Sequence, residues 1–287
     1  MPERVARPLG YPSRMTLPAN PPGVVQRAIE RIRDGHGERT EDRIAEETPI
    51  AMLYNGVSFA VMMTTPADLG DFALGFSLSE GLIESPAQLL AIERSDLLEG
   101  IQLAMTVAPE AAAARLDGRR ERLLPGRGSC GICGTRDLED AIRQPSPVVA
   151  ETSFRASALE QALAALSQHQ PMNAATGAVH AAAWADLDGR IILAREDVGR
   201  HNALDKLIGA MARAGIAPDA GMLLLTSRAS YEMVTKAASA GIGLMAAISA
   251  PTALAIELAR SAGICLIGFA RPHGYNIYAH PERIRAD

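Results

Sequence analysis

Short apolar runs at 191–194, 222–225, 244–248 and 264–269 are separated by stretches whose apolar positions recur at helical spacing, over 203–214, 231–240 and 252–262. The runs predict strands and the spacers predict helices. Leu204, Leu207, Ile208 and Met211 fall on one face of the first helix. Ser230 is placed to cap the second, with Gly241 just beyond its end, and Pro251 and Gly263 bracket the third. Strands alternating with helices of this length need crossover connections, which predicts an α/β fold with a largely parallel sheet and helices on both faces.

Upstream the signals are sparser. Two apolar runs, 49–54 and 57–64, flank Asn55-Gly56, a pair suited to the two positive-φ positions of a type I′ hairpin turn. Thr65 and Pro66 then suit the N-cap and first position of a helix reaching about Gly81. Residues 101–124 predict another strand and a charged connection, and 157–168 another helix. Residues 24–47 mix charges with little period and read as surface structure of no defined type. Prolines at 2, 8, 12, 18, 21 and 22 predict a mobile tail. The expected organisation is a Pro-rich tail over 1–22, an N-terminal α+β region over 23–150 built on a smaller hairpin and helix, and a C-terminal α/β domain over 151–287.

That arrangement predicts where a ligand sits. In open α/β sheets the site lies beyond the carboxyl ends of the strands. Those ends are Arg195-Glu-Asp-Val-Gly-Arg-His201, Thr226-Ser-Arg-Ala-Ser230, Ser249-Ala-Pro-Thr252 and Ala270-Arg-Pro-His-Gly274. All are polar or small, three contain arginine, and two run into helix N-termini, whose free N–H groups favour phosphate. Loop position makes Asp197, Arg200, His201, Ser227 and Arg228 candidate contacts. His201 and Asp205 stand four apart on one helix face, a spacing that also serves helix stability alone.

Composition narrows the function. The chain of 287 residues is 48% hydrophobic and 21% charged, a globular balance, and its net charge of −5 argues against general nucleic-acid binding. No run approaches the roughly 18 apolar residues of a membrane span. Arg4, Arg7 and Arg14 are followed by no apolar signal-peptide core, so a cytoplasmic protein with no membrane partner is expected. Three cysteines cannot build a disulfide framework, which also suits a reducing compartment.

Two of the three lie in Gly126-Arg-Gly-Ser-Cys-Gly-Ile-Cys-Gly134, which has neither strand nor helix period. Structural zinc needs four ligands, and Cys265 sits in an apolar run that reads as a buried strand, so a protein-bound metal is not expected. A thioredoxin-like dithiol needs a helix start, and glycine costs roughly 1 kcal/mol in a helix relative to alanine. A dithiol oxidoreductase stays open on these grounds, and a third reading is persulfide carriage. A thiolate takes the outer sulfur from a donor, flexible glycines give it reach, and Arg127 and Arg136 favour the thiolate. His180, in Thr176-Gly-Ala-Val-His-Ala-Ala-Ala-Trp184, lacks the H-x-E of zinc deaminases and reads as a hydrogen-bonded core histidine.

Several segments carry a resemblance. They are Ala73-Leu-Gly-Phe-Ser-Leu-Ser-Glu-Gly-Leu-Ile83, Cys130-Gly-Ile-Cys-Gly134, Thr176-Gly-Ala-Val-His180, Arg195-Glu-Asp-Val-Gly-Arg-His-Asn-Ala-Leu-Asp-Lys206, Thr226-Ser-Arg-Ala-Ser-Tyr-Glu-Met233 and Gly268-Phe-Ala-Arg271. With these the chain resembles the formate dehydrogenase accessory sulfurtransferases over roughly residues 45–285. The resemblance implies a cytidine-deaminase-like scaffold and a cytoplasmic transferase working as a homodimer. Such a protein takes sulfur from a cysteine desulfurase and passes it to the molybdenum bis(molybdopterin guanine dinucleotide) cofactor that formate dehydrogenase needs. It implies a persulfide on Cys130 with Cys133 in support. It also implies a cofactor-binding segment at Phe269, Ala270, Arg271, Pro272, His273 and Gly274. The rival from another class is a chaperone that delivers the cofactor without sulfur chemistry.

Overall fold

The computed structural model describes residues 20–116, 147–148 and 152–287. β1 (Val24–Arg33) and β2 (His36–Ala45) form an antiparallel ribbon closed by Asp34 and Gly35, both at positive φ as a type I′ turn requires. The stretch 24–47 is therefore a hairpin rather than structure of no defined type. Its cross-strand neighbours are charges, Arg31 opposite Glu38 and Arg27 opposite Asp42, which hide the alternation that marks a strand.

β3 (Thr48–Tyr54) and β4 (Val57–Thr64) pair across Asn55-Gly56 as predicted, with both turn residues at positive φ. α1 (Leu69–Ser79), β5 (Leu89–Asp96) and β6 (Ile101–Val107) complete a four-stranded sheet in the order β4-β3-β6-β5. Its buried face, with Ile50, Met52, Tyr54, Leu103 and Met105, packs on Phe72 and Phe76 of α1. The helix starts at Leu69 behind Asp68, not at Thr65-Pro66. Thr65 is committed to tertiary bonds instead. Its N–H donates to Asp197 (3.0 Å), and its carbonyl accepts from Lys206 Nζ (2.9 Å).

After β7 (Phe154–Arg155) come α2 (Ala156–Ala165) and the short α3 (Pro171–Thr176). The remainder alternates as β8 (His180–Asp186), β9 (Ile191–Asp197), α4 (Arg200–Ala214), β10 (Gly221–Leu225), α5 (Tyr231–Ser239), β11 (Leu244–Ala247), α6 (Ala253–Ala262), β12 (Cys265–Arg271) and β13 (Gly274–Ala279). β14 (Ile284–Arg285) pairs with β7. The six-stranded sheet has the order β13-β12-β11-β10-β8-β9. Helices do cover both faces. α4, α5 and α6 pack on Trp184, Leu223, Leu225, Met245 and Leu266, while α2 packs on Ala183, Met222, Leu224, Ala246 and Ile267.

The largely parallel sheet expected from the alternation is corrected to a mixed one. Only β10–β11 and β11–β12 run parallel, whereas β8–β10, β8–β9 and β12–β13 are antiparallel. Tight turns join β8 to β9 and β12 to β13, and a tight turn can only join antiparallel neighbours. β8 is mostly alanine and carries little of the β-branched signal that announces a strand.

The two sheets meet through α1 and α4, whose backbones touch. A Cβ on Gly75 would lie 1.7 Å from the Asp205 carbonyl oxygen, and one on Gly209 would lie 2.0 Å from that of Asp71. α4 is thus covered by the six-stranded sheet on one side and α1 on the other, and every residue from 201 to 211 is buried. Periodicity had marked one buried face. The opposite face, with Asn202, Asp205 and Lys206, is buried as well. The intrahelical His201–Asp205 pair does not form, because Asp205 meets Ser79 Oγ (2.6 Å) and Lys236 Nζ (2.9 Å).

Candidate functional site

β8 runs against β10, so its first residue, His180, stands at the carboxyl edge of the parallel strands. From there the edge is tied strand to strand. Ala181 N–H donates to Thr226 Oγ1 (2.8 Å) and Thr226 N–H to the Ala181 carbonyl (3.0 Å). Thr252 N–H donates to the Ala229 carbonyl (3.0 Å), and Phe269 N–H to that of Ser249 (3.1 Å). At ~4.8 Å per strand, β8 to β12 spans roughly 14 Å. The result is a continuous wall rather than four separate loops.

At one end, the N-termini of α4 and α5 converge. Glu232, in the first turn of α5, accepts through Oε2 from His201 Nε2 (3.0 Å) and Ser230 Oγ (3.0 Å), with Arg200 Nη2 3.9 Å away. Burial opposes its charge, but the bond and charge of His201, then Ser230 and Arg200, hold its carboxyl below the usual range. Ser230 therefore spends its hydroxyl on Glu232, not on a helix N–H. The far sides of these groups are unpaired. Arg200 Nε, His201 Nδ1 and Glu232 Oε1 are buried without a hydrogen-bond partner among the described residues. Buried polar atoms are paired in the great majority of cases, so three in one cluster single out this corner. All three atoms are shut from solvent.

Beside them stands His180, half-buried. Burial, then the charges of Arg200, His201 and Arg228, hold its pKa below the ordinary 6.5, with Asp197 opposing. Arg228 is exposed. Ser227 is buried, and its hydroxyl donates to the Arg228 carbonyl (3.1 Å), which steadies the loop.

Asp197 plays a different part. It is fully buried, and its two oxygens accept from Thr64 Oγ1, Thr65 N–H, Gly199 N–H, Asn202 Nδ2 and Lys206 Nζ. It holds the β9–α4 loop in place and has no oxygen turned outward.

At the other end, Phe269 is 50% exposed at φ 51, a conformation costly for a bulky residue. Ala270 is buried beneath it. Arg271 Nη1 donates to the carbonyls of Ile248 and Ala270, and Pro272-His273 forms the turn into Gly274. The wall thus brings the loop candidates and the Phe269–Gly274 segment onto one edge.

Cys130 and Cys133 lie outside the described residues. Cys265 is buried in β12, and burial pushes its thiol up to about 12, so it offers no thiolate. Among the described residues no three His, Cys, Asp or Glu side chains are grouped to hold a metal ion. A cavity of about 450 Å³ away from this edge is lined by Pro22, Asp68, His169, Met172 and Glu196. Both Glu196 oxygens are taken by the N–H groups of Met172 and Asn173 (2.8 Å each). Sequence reasoning missed Glu232, whose role exists only because two helix starts meet in space. It also set His180 aside.

Fold and edge together define a mixed-sheet α/β protein with a cation-bearing carboxyl edge suited to an anionic ligand. The chain matches the FdhD/NarQ family over residues 45–285 and belongs to it. It is 56% identical over 263 residues to "Sulfur carrier protein FdhD" of Xanthomonas euvesicatoria pv. vesicatoria, covering 92% of this chain and 93% of that protein. A protein of the same name from Bordetella petrii is 50% identical over 260 residues, covering 90% and 93%. The fold is similar to that of a crystal structure from Desulfotalea psychrophila described as a "putative formate dehydrogenase accessory protein". The TM-score is 0.71 at 23% identity, covering 92% of this chain and 100% of that one. No helix among the described residues is long and apolar enough to cross a membrane.

Proposed function

We propose that this protein is a cytoplasmic sulfur carrier for formate dehydrogenase maturation. It takes sulfur from a cysteine desulfurase onto Cys130 and passes it to the molybdenum bis(molybdopterin guanine dinucleotide) cofactor held along the carboxyl edge. The observation that carries the reading is the family match, which spans Cys130 and Cys133 and comes with relatives named as sulfur carriers over nearly their whole length. The edge supports the cofactor half. It offers two helix N-termini, Arg200 and Arg228 for phosphates, and the exposed Phe269 ring for a planar heterocycle.

The chemistry balances with the cysteine pair. The Cys130 thiolate attacks the outer sulfur of the donor persulfide, that S–S bond breaks, and the donor leaves as a thiolate. Attack of the Cys133 thiolate on the Cys130 sulfur then closes a disulfide and releases the outer sulfur as hydrosulfide, with two electrons. A dithiol reductant reopens the pair. The working unit is a homodimer, and the cofactor's metal is cargo bound through its organic part.

Cys130→Ala tests the reading against cofactor delivery alone. Sulfur carriage expects a variant that still binds cofactor but leaves formate dehydrogenase inactive. Full dehydrogenase activity with the variant would favour the chaperone.

A further inference from the structure

His180 is half-buried at the start of β8, where its ring, set at the carboxyl edge, is open to a ligand. Its surroundings are cationic. The His180–Asp197 pairing and the Ala181–Thr226 bonds bring the start of α4 and the loop after β10 beside it, and the charges of Arg200, His201 and Arg228 act on it from there. Asp197, at the end of β9, is the acidic neighbour, and its charge is already matched by Lys206 Nζ at 2.6 Å. Glu232 is bound to His201 (3.0 Å) and stands 3.9 Å from Arg200. An imidazole beside these cations is a poor structural device. It becomes a good one when an anion arrives.

We infer that His180 is an anion-binding residue of this edge, taking up a proton when a phosphate or pyrophosphate group enters between it, Arg200 and Arg228. The inference rests on reading the edge as the cofactor's phosphate site. Without the anion, burial and then the neighbouring cations disfavour the charged ring. An entering anion reverses the local field, a proton passes from solvent to the imidazole, and the ring becomes a third cationic donor. No covalent bond is made or broken. Affinity for the anion should then fall as pH rises, by up to about tenfold per pH unit between the free and liganded pKa values.

The test is calorimetric titration of the full chain with inorganic pyrophosphate at about pH 7, in buffers of different ionisation enthalpy. The His180→Gln variant is measured alongside, so that the ligand's own protonation cancels in the difference. Wild type should take up more protons than the variant, by roughly half to one per site. Equal uptake in two binding-competent proteins overturns the inference alone. No pyrophosphate binding by wild type overturns it together with the phosphate site, and leaves sulfur carriage to its own test. Should the variant fail to fold, the His180 ring resonances of wild type decide the matter by NMR. A pKa that rises on adding pyrophosphate supports the inference, and an unmoved one overturns it.

Discussion

Two clusters of buried charge lie along α4, and the chain treats them in opposite ways. In the interface with α1, Asp197 is bound by five donors including Lys206, and Asp205 is bound by Ser79 and Lys236. Lys236 also reaches Glu80 (2.7 Å), and these acids keep it protonated against the pull of burial. The unpaired atom there is Asn202 Oδ1. At the first turn of the same helix, Arg200, His201 and Glu232 leave three atoms unpaired. A buried ion pair costs much and returns little unless its charges are paired, so the network in which Asp197, Asp205, Lys206 and Lys236 all find partners fixes how the two sheets meet. The incomplete one lies where the loops converge and where a ligand's polar atoms can complete it.

The largest expected effect comes from breaking the interface network. Lys206→Met leaves Asp197 charged and buried without its cation, and urea unfolding should show a loss of ~3–5 kcal/mol. A smaller loss in the same assay, ~1–3 kcal/mol, is expected for Gly209→Ala, whose new Cβ would press on the Asp71 carbonyl. Arg228→Ala should do the reverse. With an exposed side chain it should leave stability within ~0.5 kcal/mol, yet weaken pyrophosphate binding about tenfold. A clear stability loss here, or unchanged binding, would erase the contrast between the clusters.

The smallest effect is a pH dependence. His180 has a folded pKa below its ordinary 6.5, so the unfolded chain binds the proton first. Its contribution to stability is present above about 6.5 and declines as pH falls through the folded value. Thermal unfolding across that window should show the decline in wild type, less of it with pyrophosphate present, and less again in His180→Gln.

The alternation of strands and helices after residue 190 was legible because buried strands read as apolar runs and Gly and Pro mark the helix ends. Thr252, read from the sequence as the first residue of its helix, is the cap of α6 and accepts from Ala255 N–H (3.3 Å). The misses have physical causes. β8 is alanine-rich, the β1–β2 ribbon pairs charge with charge, and Thr65 gives up helix capping for Asp197 and Lys206. The edge that gathers Arg200, His201 and Arg228 could be placed from topology alone. Glu232 and His180 could not, since their meaning depends on which helix starts and strand ends become neighbours. The buried polar face of α4 was also hidden, because polar residues at helical spacing look solvated until a second helix covers them.

Sulfur carriage is tested most directly by the mass of each cysteine peptide after incubation with a cysteine desulfurase and cysteine. The predicted result is one added sulfur atom on the peptide containing Cys130, removable by a thiol reductant and absent from Cys130→Ala. An unmodified Cys130, or equal sulfur loading in the variant, would contradict it.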